Sequence, residues 1–247
     1  MRTRSILVSC GLVAGLIMAW ANPAAAADKK VFCATNVKIS LAFNQLFASS
    51  NGQPSAAQIQ QAQGPILALI DQAAQTAPPD IADQVTIIAT AAHADFQNAL
   101  NDPAVSDAGS KIDAYAVGNC GYRVINVTAV EYKFRGVPKT LKTGILLVNF
   151  KDAGSESHEI DIARIKTSDS VKTLLALPQG QAKTRVELLG NTGADPGQSS
   201  VGYFQLTKPG RYVALCLVPQ GTTQSSQQGT GPPHAKLGMH TEFTVTK

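Results

Sequence analysis

The sequence predicts an α+β protein in two parts, a helical bundle over residues 28–121 followed by an all-β sandwich over residues 122–247. Two observations predict this division. Apolar residues recur every three or four positions in the first part, whereas β-branched runs separated by Gly and Pro turns fill the second. The 247 residues, 44% of them hydrophobic, suffice to bury a core in both parts.

The first 27 residues have the pattern of a secretory signal peptide. Arg2 and Arg4 precede an apolar run over residues 6–20, and small residues suited to a signal peptidase follow over residues 21–27. The apolar run is short for a membrane anchor, and no other run reaches spanning length. We therefore expect a mature protein without a membrane span, located outside the cytoplasm in the cell envelope or a periplasm-like space.

Removing the signal peptide leaves three cysteines, Cys33, Cys120 and Cys216. An odd number in an oxidising compartment requires an explanation. Cys33 and Cys120 bracket the helical part, so the economical interpretation is a disulfide between them. Cys216 is then a thiol kept for another purpose, or simply a small buried apolar side chain.

Four helices are predicted in the first part, joined by short loops that favour an up-and-down bundle. We expect the first to start at Thr35 or Asn36 and the second at a capping box that opens with Ser55. The third follows Pro78-Pro79 with Asp80 as its cap and continues to Leu100, and the fourth is capped by Asp102, has Pro103 at its first position and ends at Gly118. His93 lies at the edge of the third helix's apolar face and is interpreted as a boundary histidine, because no second ligand is near it in sequence.

The second part contains five β-branched runs and one short helical segment. We expect the helix over residues 167–177, with Ser168 or Asp169 near its start. The strands are predicted at 124–130, 145–150, 160–165, 212–218 and 241–245.

The sequence lacks features that several classes of protein need for their function. The formal net charge of +4 is too small to indicate a nucleic-acid-binding surface. The sequence has no Gly-rich phosphate loop and no Gly-x-Ser-x-Gly nucleophile motif. Its four histidines include no His-x-His pair, which argues against a multicopper enzyme. We therefore predict a protein that is not an enzyme.

One set of residues carries metal chemistry. Cys216, His234 and Met239 lie on the last strand–loop–strand unit, and His158 follows an earlier strand. Three motifs accompany them: Val148-Asn149 ahead of His158, Pro209-Gly210-Arg211-Tyr212 leading to Cys216, and a glycine directly before Met239.

Residues 123–247 with these motifs resemble the cupredoxin family, the type 1 blue copper proteins. The resemblance implies a Greek-key sandwich that binds one copper ion through His158, Cys216, His234 and Met239. A thiolate, two imidazoles and a weak axial thioether suit an ion that cycles between Cu(I) and Cu(II).

The sequence departs from the family pattern at two places. Seventeen residues separate Cys216 from His234, where the family has a short loop. This insertion either bulges outward and leaves the ligands in place, or indicates that the site has lost its ability to bind metal. Glu159 stands where an asparagine often ties the ligand loops together, so its carboxylate either ties them differently or places charge near the site.

The leading hypothesis is a secreted mononuclear copper protein for electron transfer or copper handling, working with an unidentified redox or copper-donor protein. The alternative is a metal-free cupredoxin-fold module for binding or for the cell envelope. The helical part resembles small disulfide-closed bundles of secreted actinobacterial proteins, through residues 112–115 and 119–121, and this resemblance implies no catalytic residues.

Overall fold

A computed structural model describes residues 27–49 and 53–247. The predicted signal peptide, residues 1–27, lies outside the described residues apart from its last position. In the described part, none of the helices has the length and apolar character needed to cross a bilayer.

The first part is helical, as predicted. Its helices are α1 (Lys29–Ser49), α2 (Ala56–Thr76), α3 (Ala82–Ala94), α4 (Phe96–Ala99) and α5 (Pro103–Asn119), with a 3-10 turn at Pro79–Ile81. Two predicted starts are confirmed. Ser55 forms a reciprocal capping box with Gln58, and Asp102 accepts a hydrogen bond from the Ala104 N–H at 2.8 Å.

The start predicted for the first helix is wrong. The Asp28 carboxylate accepts hydrogen bonds from the N–H groups of Lys30 and Val31, both at 3.0 Å, so α1 begins at Lys29. Because this earlier cap satisfies the free N–H groups of the first turn, Thr35 and Asn36 lie inside the helix.

The third predicted helix is divided in two. Asp95 adopts an extended backbone with φ −159° and caps α4 by accepting from the Asn98 N–H at 3.0 Å. The chain therefore breaks before Phe96, although apolar periodicity continues through the break. Asp80 lies within the 3-10 turn and does not cap α3.

The predicted Cys33–Cys120 disulfide is confirmed, with the two Cα atoms 5.6 Å apart. It joins the start of α1 to the residue after α5. The ends of the helical part are therefore linked next to the point where the sandwich begins.

The second part forms two packed sheets. The strands are β1 (Arg123–Val130), β2 (Lys133–Arg135), β3 (Thr140–Lys142), β4 (Gly144–Asp152), β5 (His158–Ile165), β6 (Val186–Ala194), β7 (Ser199–Leu206), β8 (Gly210–Leu215) and β9 (His240–Thr246). One sheet has the order β2-β1-β4-β7 and the other the order β3-β9-β8-β5-β6. The pairs β1–β4 and β3–β9 are parallel, and the remaining pairs are antiparallel.

All five predicted strands are present, and four further strands were not predicted. β2 and β3 have only three residues each, while β6 and β7 include glycine and polar residues that weaken the β-branched signal. The segment between β5 and β6 holds two short helices, α6 (Val171–Ala176) and α7 (Gln179–Arg185), and Ser170 caps the first of them.

Residues in the middle of β4 alternate between two apolar clusters. Leu146 and Val148 pack in the core between the sheets, whereas Leu147 packs with Val37 of α1 and Ala116 of α5. Because successive side chains of a strand point to opposite faces, the helices cover the outer face of the four-stranded sheet.

Tyr203 of β7 connects the sheet to the helices by hydrogen bonds. Its hydroxyl donates to Asp113 Oδ1 of α5 at 2.7 Å and accepts from Asn36 Nδ2 of α1 at 3.0 Å. Its carbonyl oxygen accepts from Asn44 Nδ2 at 2.8 Å. The helical part and the sandwich therefore share a packed and hydrogen-bonded interface.

Candidate metal centre

Three neighbouring strands bring the predicted ligands to one end of the five-stranded sheet. His158 is the first residue of β5, Cys216 directly follows β8, and Met239 directly precedes β9. β8 is antiparallel to both neighbours, so the end of β8 lies beside the starts of β5 and β9. His234 opens the 3-10 turn His234–Leu237 between β8 and β9.

The ligand atoms of His158, Cys216 and His234 all lie within 4.8 Å of one another. Nδ1 of His158 is 3.0 Å from Nδ1 of His234, which is 3.4 Å from Sγ of Cys216. Ligand atoms around one small ion, at bond lengths of about 2.0–2.3 Å, lie roughly 3–4 Å apart. The three side chains are buried, and their spacing fits one copper ion held by two nitrogens and a sulfur.

A carboxylate contacts the His234 ring. Glu156 Oε2 lies 2.9 Å from Nε2 of that ring. An ionised carboxylate only accepts hydrogen bonds, so this contact favours the tautomer with the proton on Nε2. The Nδ1 lone pair then faces His158 and Cys216, as a metal ligand requires.

His158 is held in the neutral form. Burial, and next the neighbouring His234 ring, lower the pKa of His158 to about 4. Its Nε2 atom is buried without a hydrogen-bond partner among the described residues. A neutral imidazole is the form that binds a metal ion.

Cys216 is the one cysteine outside a disulfide in the described part of the chain. Burial raises the pKa of its thiol to about 12, against hydrogen bonds from the backbone N–H groups of Glu159 and Val218. The Glu159 N–H donates to Sγ at 3.4 Å. In the absence of a metal the sulfur is therefore protonated.

Met239 is fully buried, and its backbone contacts both Cys216 and His234. Its N–H donates to the His234 carbonyl oxygen at 3.0 Å, and its own carbonyl oxygen accepts from the Cys216 N–H at 3.1 Å. Gly238 precedes it with φ +112°, a left-handed conformation that favours glycine and ends the 3-10 turn. The predicted fourth ligand thus lies next to the other residues, with its side chain in the core between the sheets.

The long segment over residues 217–233, the covering loop, folds back so that its two ends pair with each other. Pro219 forms a bridge with Pro233, the Gln220 N–H donates to the Pro232 carbonyl oxygen at 3.0 Å, and the Gly231 N–H returns to the Gln220 carbonyl oxygen at 3.1 Å. The chain therefore leaves after Cys216 and comes back as a narrow hairpin that places His234 beside it.

The Glu159 carboxylate binds a residue of β6. Its Oε2 accepts from Asn191 Nδ2 of β6 at 3.1 Å, while its backbone N–H is the group that contacts Cys216. Next to it, burial raises the pKa of Asp161 well above its usual range, and the Glu159 carboxyl adds to the rise.

Sequence reasoning missed four residues around the imidazoles. Glu156 contacts His234, and the Tyr132 ring lies edge-on to the same imidazole with the ring centroids 5.2 Å apart. A Cβ at Gly154 would lie 2.7 Å from Nε2 of His158 and 2.8 Å from Oε1 of Glu131. Glu156, two residues before His158, had a sequence signal because metal-bound histidines commonly donate to carboxylates. Nothing in the sequence marks Tyr132, Gly154 or Glu131.

His93 is remote from this group. Its Nε2 lies 2.6 Å from Asp71 Oδ1, and both side chains are about half exposed. It has a partner within the helical part, as expected for a boundary histidine.

No family model and no curated protein sequence matches the chain. Solved structures do match. Auracyanin from Roseiflexus castenholzii is 23% identical over 51% of this chain and 98% of its own, with a TM-score of 0.36. Auracyanin A, a "blue" copper protein from Chloroflexus aurantiacus, is 16% identical over 50% of this chain and 98% of its own (TM-score 0.34), and rusticyanin from Thiobacillus ferrooxidans is 16% identical over 51% of this chain and 79% of its own (TM-score 0.31). These neighbours are cupredoxins.

At such identities and TM-scores the likeness carries no argument about this chain, and the case for copper comes from the chain's own side chains. The buried His158, Cys216 and His234 group is a candidate copper centre. The matches cover half of the chain, so the resemblance of the helical part to actinobacterial bundles remains a prediction.

Proposed function

We propose that this protein binds one copper ion through His158, Cys216 and His234, with Met239 as a weak fourth ligand, and that it carries electrons outside the cytoplasm. The observation that carries the proposal is the convergence of three buried ligand atoms within 4.8 Å. When bound, copper would supply a centre that accepts and releases one electron.

Two features favour electron transfer over delivery of copper to another protein. The candidate ligands are at most 1% exposed, so a partner's ligand cannot reach the ion directly. They are also attached to paired strands and a closed hairpin, which limits their movement when the charge of the ion changes. We propose a carrier without enzymatic activity of its own, whose partner is a redox protein.

Secretion is part of the same proposal. The Cys33–Cys120 disulfide is typical of an oxidising compartment, and the sequence begins with the pattern of a signal peptide. Metal ligation would protect the remaining thiol, Cys216, from oxidation there.

The test is a titration of the metal-free protein with Cu(II), followed by visible absorption and by thermal unfolding. We expect strong thiolate-to-copper absorption at one equivalent, together with a rise in melting temperature, because an ion that binds only the folded state stabilises it. Cys216→Ser should abolish the absorption and His158→Ala the rise, whereas His93→Ala should change neither.

A protein that stays colourless and gains no stability from copper would contradict this function. The metal-free module would then be the better description, with the contact between His158 and His234 a simple hydrogen bond between two rings.

A further inference from the structure

Glu156 contacts both the His234 ring and the covering loop. Its Oε2 atom lies 2.9 Å from Nε2 of His234 and accepts from the Gly221 N–H at 2.8 Å. Its Oε1 atom is 3.5 Å from the Tyr132 hydroxyl. One carboxylate therefore connects the imidazole, the loop and the aromatic ring that lies against the imidazole.

Two further hydrogen bonds join the covering loop to Tyr132 and to Ser157, the residue after Glu156. Gln220 Nε2 donates to the Tyr132 hydroxyl at 2.9 Å, and the Ser157 N–H donates to the Thr222 carbonyl oxygen at 2.8 Å. These contacts leave the His234 side chain with no exposed surface, although Glu156 itself keeps 18% of its side chain exposed.

The nearby acids have other partners: Glu131 accepts from Ser155, and Asp195 accepts from Ser157 Oγ at 2.6 Å. Among the described acidic residues, Glu156 is the one that hydrogen-bonds to an imidazole of the centre.

We propose that Glu156 is the positioning residue of the metal centre: its carboxylate keeps the proton of His234 on Nε2 and fastens the covering loop over the ring. This inference rests on the proposed function. An anionic acceptor on Nε2 strengthens the Nδ1 donor and places negative charge near the ion, so it favours Cu(II) over Cu(I). The long loop is then a fixed cover that keeps His234 in place.

The first experiment measures the copper reduction potential and the loss of Cu(II) to EDTA. Glu156→Gln keeps an accepting oxygen but loses the charge, so we expect a higher potential and roughly 10- to 100-fold weaker copper binding. The matched control is Asp195→Asn, which removes one charge from the same end of the sandwich without touching a ring, and its potential should stay close to that of the unmodified protein. Equal shifts in the two variants, or no shift in Glu156→Gln, would overturn the proposal.

The second experiment needs no copper. Imidazole ¹⁵N chemical shifts of the metal-free protein should show the His234 proton on Nε2, and the Gly221 amide should exchange slowly with solvent. In Glu156→Ala we expect a mixture of His234 tautomers and faster Gly221 exchange, while Tyr132→Phe keeps the tautomer because it leaves the carboxylate in place. An unchanged tautomer in Glu156→Ala would refute the positioning role.

The two experiments separate the two ideas. A protein that binds no copper but shows the carboxylate-dependent tautomer contradicts the proposed function and keeps the structural role of Glu156. If the protein binds copper and turns blue, but neither its reduction potential nor the His234 tautomer changes in the Glu156 variants, this inference alone is contradicted.

Discussion

The candidate ligands differ in the protons they carry before a metal binds. The thiol of Cys216 has a pKa raised to about 12 by burial, so it is protonated at any ordinary pH. His158, whose pKa burial and the His234 ring lower to about 4, is already neutral at pH 7. Copper binding must therefore release the thiol proton and needs none from His158.

This difference predicts the pH dependence of copper affinity. Between about pH 7.5 and 9, where imidazoles are generally neutral, binding should release one proton, so affinity should rise about tenfold per pH unit. Competition titrations against a chelator of known pH-dependent affinity measure this slope. Cys216→Ser provides the control without a thiol, and an equally steep slope in that variant would show that the released proton comes from another group.

At the scale of elements, helix ends are determined by local hydrogen bonds. Asp102 accepts from the Ala104 N–H and precedes Pro103, which occupies the first position of α5. Asp102→Ala leaves a free N–H at this end, and we expect it to lower the free energy of unfolding by about 0.5–2 kcal/mol. Urea denaturation measures the change. Asp107→Ala, which removes only an exposed ion pair with Lys111, should cost less, and the reverse order would contradict the capping argument.

The contact of α5 with β7 should make stability depend on pH. Burial raises the pKa of Asp113 to about 7, although the hydrogen bond from Tyr203 acts in the opposite direction. The folded state then binds a proton that the unfolded state, with its usual pKa near 3.8, has already released. Stability should therefore fall as pH rises from about 4 to 7, by at most about 4 kcal/mol, and level off above that range.

Asp113→Asn tests this effect, because the amide oxygen can still accept from Tyr203 and carries no titratable proton. We expect the variant to gain stability relative to the unmodified protein between pH 4.5 and pH 7.5 in urea denaturation. A difference that does not change with pH would show that Asp113 titrates equally in both states.

At the scale of the whole molecule, the Cys33–Cys120 bridge links residues 87 positions apart, whereas the candidate ligands all come from the sandwich. Replacing both cysteines by serine should cost roughly 2–5 kcal/mol of stability, since it frees a long loop in the unfolded chain. Thermal unfolding measures this loss. The visible spectrum of the copper-loaded variant should be unchanged below its melting temperature, and a lost spectrum there would mean that the bridge also holds the centre.

Sequence alone was sufficient where the cause is local or compositional. Caps at Ser55 and Asp102, five strands and the division into helical and β parts follow from neighbouring residues and from periodicity. The pairing of Cys33 with Cys120 followed from counting, because an oxidising compartment leaves few thiols free. The four proposed ligands, His158, Cys216, His234 and Met239, stay a prediction that rests on the resemblance to the cupredoxin family and on donor types that copper prefers.

Only the tertiary structure decided how these parts meet. The break at Asp95 and the early start of α1 were missed because apolar periodicity does not report the backbone of a capping residue. Three features of the site depend on residues that are distant in sequence: β5, β8 and β9 lie side by side, the covering loop returns to the site, and Glu156 contacts His234. The last of these contacts joins residues 78 positions apart. Such contacts depend on strand pairing and packing across the whole domain, and no local pattern of residues encodes them.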